Sequence, residues 1–350
     1  MQSKKNIILS IILSCLYSPG KLANLLKVFC FPKKNKVNFS PIFADIESTI
    51  SCNLNCVMCH RKELVAGRSS LNLTLVQFRK IIDKLPYVLK LNLQGMGEPL
   101  LSRDLFEMIK YAKKKRIYVS TVTNGMLMTE DRARKTIESG LDRIYFSIDS
   151  ADSKNYAKYR VNGKLDQVID NLKKLVELKN KNKSKLHIGV WMLLFNNNID
   201  QLIPVLKLVK EAGADELIVQ SHISYRGKNN WKEKINNLKI KDKNNDVFIK
   251  LEEAKKFAKE IKLKFSIQAG MGVLKPDAKS LCQWPWKSIY IASNGDVSSC
   301  CIVADPKVAY MGNILNQEFS QIWNGTMYQN LRKSLLDKEI PDYCKECYGK

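Results

Sequence analysis

Three observations predict an α/β fold: a partial (β/α)6 TIM-like barrel followed by a small Cys-rich cluster-binding domain. Between Pro41 and Ser221 six short apolar runs alternate with longer amphipathic segments, which implies parallel β/α units. The first four runs end in segments rich in Cys, Gly, Asn, Asp or Ser, and a parallel barrel carries its reactive groups on the loops after its strands. Most of the ten cysteines gather at short spacings in two places, 52–59 and 282–347.

Residues 1–39 form a basic extension. Residues 1–44 hold seven Lys and no Asp or Glu. Asn6–Leu16 is an apolar run behind Lys4 and Lys5; it resembles the h-region of a signal peptide and is too short to cross a bilayer as a helix. Cys15 after Ile12-Leu13-Ser14 matches a lipoprotein cleavage site only weakly, and export sits badly with an oxygen-sensitive metal site, so the expected location is the cytoplasm. Leu22–Phe29 is a second amphipathic stretch, followed by Pro32 and Lys33-Lys34. Two readings stand together: short basic helices that touch a membrane or anionic partner peripherally, or an extension packed on the barrel.

The barrel is expected over 40–223. Pro41–Glu47 alternates as a strand and leads into the first cysteine loop. Helix Leu73–Leu85, with Thr74 as N-cap, precedes strand Val88–Gln94. Helix Leu105–Arg116 leads to strand Ile117–Thr123, and helix Thr129–Ser139 to strand Leu141–Ile148. Helix Leu165–Asn180 precedes strand Leu186–Leu194, and helix Ile199–Ala212 precedes strand Glu216–Ser221. Residues 224–280 form a connecting region. In it 224–246 is a polar loop whose one large apolar residue is Trp231, expected to cover core; Val247–Lys262 is a helix, Lys264–Ala269 a further strand and 269–279 a loop. Residues 281–350 are the Cys-bearing module: strand Lys287–Ala292, an Asn-Gly turn at 293–296 and strand Val297–Cys301.

A hydrophobic fraction of 45% and a charged fraction of 26% are those of a soluble globular chain. The net charge of +24 admits nucleic acid or a membrane surface. Its lysines, however, are spread over helices and loops with no Arg-rich aromatic patch, so no nucleic-acid partner is expected. The clustered cysteines indicate metal ligation in a reducing compartment rather than a secreted disulfide scaffold.

Cys52, Cys56 and Cys59 stand as C-x3-C-x2-C after the first strand. A structural zinc wants four ligands and an all-cysteine cluster also four, so three thiolates on a four-iron cluster leave one iron open. With Gly95-Met96-Gly97-Glu98-Pro99 after the second strand, 40–223 resembles the radical SAM superfamily. That resemblance implies a site-differentiated [4Fe–4S] cluster on Cys52, Cys56 and Cys59 that binds the amine and carboxylate of S-adenosylmethionine (SAM). An electron from a reductant such as flavodoxin or ferredoxin splits SAM to methionine and a 5′-deoxyadenosyl radical, which takes hydrogen from a substrate carbon. It also implies SAM contacts. Met58 stands where the family has an aromatic residue near the adenine, and a thioether fills the same apolar role. Gly95 and Gly97 permit close backbone approach near the methionine amine, and Glu98 orients that amine or serves as a strand-end carboxylate. Thr123, Asn124 and Ser147 meet the ribose and methionine, Asp149 lies beside them, and Arg160 faces the SAM carboxylate, which its planar fork suits. His60 is expected to cap or lie at the surface. No catalytic residue is singled out.

The module from Cys282 resembles the SPASM/twitch extension of the same superfamily, through Cys282, Cys300-Cys301, Gly312-Asn313-Ile314, Ile322-Trp323-Asn324 and the final Cys344-x2-Cys347. A full SPASM extension has seven cysteines and two clusters; the count here suits one auxiliary [4Fe–4S] cluster on Cys282, Cys300, Cys344 and Cys347. Cys301 is the alternative to Cys300, since neighbours on a strand face opposite ways. A fully ligated cluster suits electron transfer; a structural zinc is the other reading. Cys15 and Cys30 are expected to be buried hydrophobes. The resemblance leaves a small substrate (a sugar, cyclitol or other small or lipid-linked metabolite, oxidised or epimerised) ahead of a peptide. A rival of another class is a non-enzymatic basic metal-binding module on nucleic acid.

Overall fold

Short strands buried along most of their length build one sheet. The computed structural model describes residues 2–221, 223–224, 229–240, 245–268 and 281–348. Its strands are β1 Phe43–Ile46, β2 Lys90–Asn92, β3 Tyr118–Thr123, β4 Arg143–Ser147, β5 His187–Leu193, β6 Glu216–Gln220, β7 Lys264–Gln268, β8 Ser288–Ile291, β9 Asp296–Ser298 and β10 Tyr310–Asn313. They form a single sheet in the order β10-β9-β8-β1-β2-β3-β4-β5-β6-β7. From β1 to β7 each strand pairs parallel with the next, as expected of a wound α/β fold.

Three differences from the sequence reading matter. The parallel run has seven strands, because β7 pairs with β6 along its whole length, from Glu216↔Lys264 to Gln220↔Gln268. The Cys-rich module is not a detached sheet either. Its β8 pairs parallel with β1, from Phe43↔Ser288 to Ile46↔Ile291, and so continues the barrel sheet past its edge. The polar 224–246 stretch contains a helix, Asn229–Asn236, because Trp231 and Ile235 recur at helical spacing and are both buried. The expected loop at 269–279 lies outside the described residues.

Helices cover the outer face of the sheet. Leu75–Lys84 begins at a capping box between Thr74 and Gln77, worth about 1 kcal/mol. It buries Phe78, Ile81 and Ile82, each contributing roughly 1.5–3 kcal/mol. The floor of the barrel is closed by charge. Glu216 is fully buried, accepts from Tyr145 Oη at 2.6 Å, lies 2.7 Å from His187 Nε2 and is closed over by Lys264. Burial opposes its charge, but the donors from His187, Lys264 and Tyr145 outweigh it and hold the carboxyl down at about 2.

The N-terminal extension packs beneath that floor. Helices α1 (Gln2–Leu16) and α2 (Pro19–Cys30) meet through Lys21, which is buried and donates to Ser14 Oγ at 3.0 Å and to Lys115 O at 2.8 Å, just before β3. Burial pushes its ammonium down to about 8. The next residues strap the Cys-rich module: Trp286 Nε1 donates to Lys34 O, Trp323 Nε1 to Phe39 O, and Asn324 exchanges two hydrogen bonds with the Val37 backbone. Cys15 is buried as expected, whereas Cys30 is exposed, because the packed face of α2 is Lys21, Asn24 and Val28.

Candidate active site

The first cysteine loop is held from three sides. Asn55 N donates to Val161 O and Val57 N to Tyr159 O, both at 3.0 Å, so the segment that carries Arg160 zips along the loop. Glu98 N donates to Ser51 O at 2.8 Å, which ties in the glycine segment. Asn124 Nδ2 donates to Asn53 Oδ1 at 2.9 Å and faces Cys52 Sγ at 3.9 Å. Cys59 lies close enough to act on both Cys52 and Cys56, and burial, the largest cause, pushes Cys52 up and Cys56 up to about 11. Iron must therefore displace thiol protons as it binds. Among the described residues no three His, Cys, Asp or Glu side chains close on a single-ion position.

Several predicted residues brace this loop. Glu98 is buried, and both its oxygens accept from protein donors: Leu100 N at 3.1 Å, Thr123 Oγ1 at 2.7 Å and Asn124 N at 2.7 Å. Burial pushes its carboxyl up against their pull. Thr123 is thereby engaged, and it also accepts from Gly125 N. Asp149 is fully buried; it accepts from Arg160 Nε at 2.7 Å and Leu193 N at 2.8 Å. For Arg160 burial opposes the charge, but Asp149 and Cys56 outweigh it and raise its pKa. Ser147 is half-buried at the end of β4.

The glycines have a reason the sequence did not supply. A Cβ on Gly95 would sit 2.5 Å from Glu47 Cγ, and one on Gly97 only 2.2 Å from Thr49 O. They permit close approach of two protein segments, as a contact with ligand alone would not explain. Glu47 was missed. It is fully buried at the end of β1, accepts from Met96 N at 2.9 Å, lies 3.7 Å from Arg68 Nη2, and receives Tyr290 Oη and Ser293 N, both at 3.3 Å. It therefore joins the glycine segment to the Cys-rich module. A second carboxylate just past Asp45, where β1 ends, was its only sequence signal.

Met58 packs on a cluster of Tyr159, Phe195, Ile223, Trp231 and Ile235. His60 is buried rather than at the surface; its Nε2 lies 3.0 Å from Glu63 Oε2 and its ring 5.0 Å from Trp231. Trp231 covers this loop, and its helix also sets Lys234 Nζ 2.7 Å from Glu63 Oε1.

The second constellation gathers Cys282, Cys300, Cys344 and Cys347. Cys344 is perturbed by Cys300, Cys347 and Cys282, and Cys347 by Cys300 and Cys282. Burial comes first among the causes and pushes all four thiols up, Cys300 to about 11. Cys282 N donates to Tyr348 Oη at 2.9 Å, which pins the C-terminal turn Asp342–Tyr348. Glu346 of that turn takes Ser224 Oγ at 2.7 Å and Lys239 Nζ at 2.8 Å, so the 224–240 segment touches both cysteine sites. Cys301 turns the other way. Its thiol hydrogen-bonds the Asp45 carboxyl, and it packs with Tyr290, Ala292, Ala304 and Met96.

Asp45 heads a polar row inside the barrel. It accepts from Asn92 Nδ2 at 2.5 Å, and Ser120 Oγ donates to Asn92 Oδ1 at 2.6 Å. Burial pushes the Asp45 carboxyl up to about 6, against the Asn92 hydrogen bond, Lys90 and Cys301. Nothing in the sequence marked this row, because one polar residue in each of three strands is not a motif.

A family model described as the radical SAM superfamily matches residues 46–209, and one described as an iron–sulfur cluster-binding domain (SPASM) matches 282–348. Residues 46–209 are thereby a radical SAM domain. Its C-terminal part is a SPASM domain. The chain is 27% identical over 180 residues to the tungsten-containing aldehyde ferredoxin oxidoreductase cofactor-modifying protein of Pyrococcus furiosus, covering 50% of each. It is 27% identical over 329 residues to the AdoMet-dependent heme synthase of Methanosarcina barkeri, covering 87% of this chain and 89% of that one. The chain spans about half the length of the first curated relatives it matches. In fold it resembles Streptococcus suis SuiB bound to precursor peptide SuiA, with a TM-score of 0.66 and 18% identity over 89% of this chain and 70% of that one.

These domains imply a [4Fe–4S] cluster with SAM in the barrel and an auxiliary iron–sulfur cluster in the SPASM domain. The donor chemistry fits both: three neighbouring thiols with a guanidinium alongside, and four more thiols gathered at Cys282, Cys300, Cys344 and Cys347.

Proposed function

We propose that this chain is a radical SAM enzyme that removes hydrogen from a carbon of a hydroxylated small metabolite (a sugar, a cyclitol or a lipid-linked relative), oxidising or epimerising it. The observation that carries the substrate class is the buried row Asp45–Asn92–Ser120, whose hydrogen-bonding groups suit substrate hydroxyls. When bound, the cluster on Cys52, Cys56 and Cys59 supplies the electron that splits SAM.

The chain's own groups orient and seal. Arg160, fixed by Asp149, presents its fork to the SAM carboxylate. Glu98 positions Asn124 and Thr123 through its hydrogen bonds to both. Trp231 with Met58 and Tyr159 excludes water from the loop. Cys282, Cys300, Cys344 and Cys347 hold the auxiliary cluster, which suits removal of an electron from the substrate; a flavodoxin or ferredoxin serves as reductant, and the chain works in the cytoplasm.

Peptide modification is the second reading, favoured by the likeness in fold to SuiB, whose structure contains a peptide. The test uses the anaerobically reconstituted chain with SAM, a reductant and extract from cells grown in heavy water, divided into small-molecule and peptide fractions. Deuterium entering 5′-deoxyadenosine from the small-molecule fraction supports the proposal. Deuterium arriving only from the peptide fraction transfers the reading to a peptide, and no 5′-deoxyadenosine at all defeats the radical chemistry.

A further inference from the structure

More than half of the large apolar side chains exposed among the described residues lie in one short stretch, residues 8–31. On α1 they include Leu9, Ile12 and Leu16, and on α2 Leu22, Leu26 and Phe29, each between 42% and 70% exposed. From Ile7 to Leu16 α1 is apolar on most sides, yet the barrel covers only the side that carries Ile11, Ser14 and Cys15. A helix apolar all round ordinarily has cover all round, and an exposed apolar patch of this extent marks an interaction surface.

The charge says what covers it. Residues 1–44 carry seven Lys and no acidic residue, so the occupant is anionic. A second copy of this chain would bring the same lysines and the same net +24 against its partner, and like charges repel. Basic residues beside an apolar helical face are the signature of a helix lying in the surface of an anionic bilayer. No helix of the described residues is long and apolar enough to cross a membrane, so contact is with the surface.

The placement adds orientation. Lys21 fastens the two helices to Lys115 O, just before β3, at the N-terminal ends of the parallel strands. The cysteine loop follows the C-terminal end of β1, on the opposite side of the sheet. We propose that the exposed α1–α2 face docks this protein on an anionic lipid bilayer through the floor of its barrel, with the mouth of the site turned away from the lipid. Substrate then enters from the aqueous side, and a lipid-linked substrate must extend its reacting part well clear of the bilayer.

The test is co-sedimentation of the full, reconstituted chain with vesicles of phosphatidylcholine alone or with a third phosphatidylglycerol, at about 0.15 M salt. The expected result is roughly tenfold preference for the anionic vesicles, weakening as salt rises. A Leu9→Asp/Leu26→Asp variant should lose this binding roughly tenfold. Lys33→Glu/Lys34→Glu, which leaves the apolar face intact, should lose only the preference for anionic lipid. Both variants should still produce 5′-deoxyadenosine from SAM, because none of the four residues belongs to the site. Failure of the parent to sediment with anionic vesicles, or equal binding to neutral ones, would overturn the proposal. So would a parent dimer that Leu9→Asp/Leu26→Asp breaks, since a second copy would then be the cover.

Discussion

Asp45→Asn should make this protein more stable and less active at neutral pH. Asp45 is 6% exposed and its carboxyl is pushed up from 3.8 to about 6 by burial. Between those values the folded chain holds a proton that the unfolded chain has released. Folded protein then binds more protons, and stability falls as pH rises through the window. About two pKa units correspond to about 3 kcal/mol of destabilisation, fully expressed above pH 6. The amide oxygen of the substituted side chain still accepts from Asn92 Nδ2, so the hydrogen bond survives while the buried charge goes. For a chain of this length about 3 kcal/mol is about 4 °C in Tm. The assay is anaerobic thermal unfolding of parent and variant across pH. The variant's advantage should be greatest near pH 7.5, fall to roughly half by pH 5, and continue to shrink towards 3.8. Turnover should drop while SAM cleavage without substrate persists, because a destabilising buried charge is a candidate for a functional role. Parallel stability curves for the two proteins, or a variant less stable at pH 7.5, would refute the reasoning.

Cys56→Ala should abolish 5′-deoxyadenosine production and remove roughly half of about eight irons per chain, whereas Cys344→Ala should remove a similar share and leave uncoupled SAM cleavage intact; iron assay and product chromatography decide both. Gly97→Ala forces a Cβ to within 2.2 Å of Thr49 O, so it should displace the cysteine loop and cost the first cluster while sparing the second, as cluster spectroscopy of Cys344→Ala and Gly97→Ala side by side would reveal. Arg160→Lys keeps the charge and the ion pair with Asp149 but loses the planar fork, so SAM should bind about tenfold more weakly with its cleavage product unchanged; equilibrium binding measures it.

Much of the barrel was legible in the sequence because parallel strands and their covering helices repeat at fixed periods. Thr74 as a cap and β1 leading into Cys52 follow from that periodicity alone. The cysteine spacing likewise defined the first cluster of thiols, since ligands on one short loop are local by construction, whereas the second, spread over 282–347, was expected only from the resemblance to a SPASM extension. What sequence could not supply was anything requiring segments distant in the chain to meet. β8 beside β1 is such a meeting, and so are the Val161–Asn55 zipper, Glu47 beneath the glycines and Asp45 facing Cys301. Cys300 and Cys301 show the division most simply. Strand alternation predicted that they face opposite ways, but β9 ends at Ser298, before both, and it is packing that sent Cys300 to the other thiols and Cys301 to Asp45. Glu98 gives the same lesson from the other side: its loop position was legible, but only tertiary structure gave it Leu100 N, Thr123 Oγ1 and Asn124 N as donors. The sequence by itself determined the thiol chemistry and the wound α/β architecture, because both rest on short-range spacing. The tertiary structure alone decided which polar groups remain for a substrate and which face of the molecule is left apolar, because both are set by what packs against them.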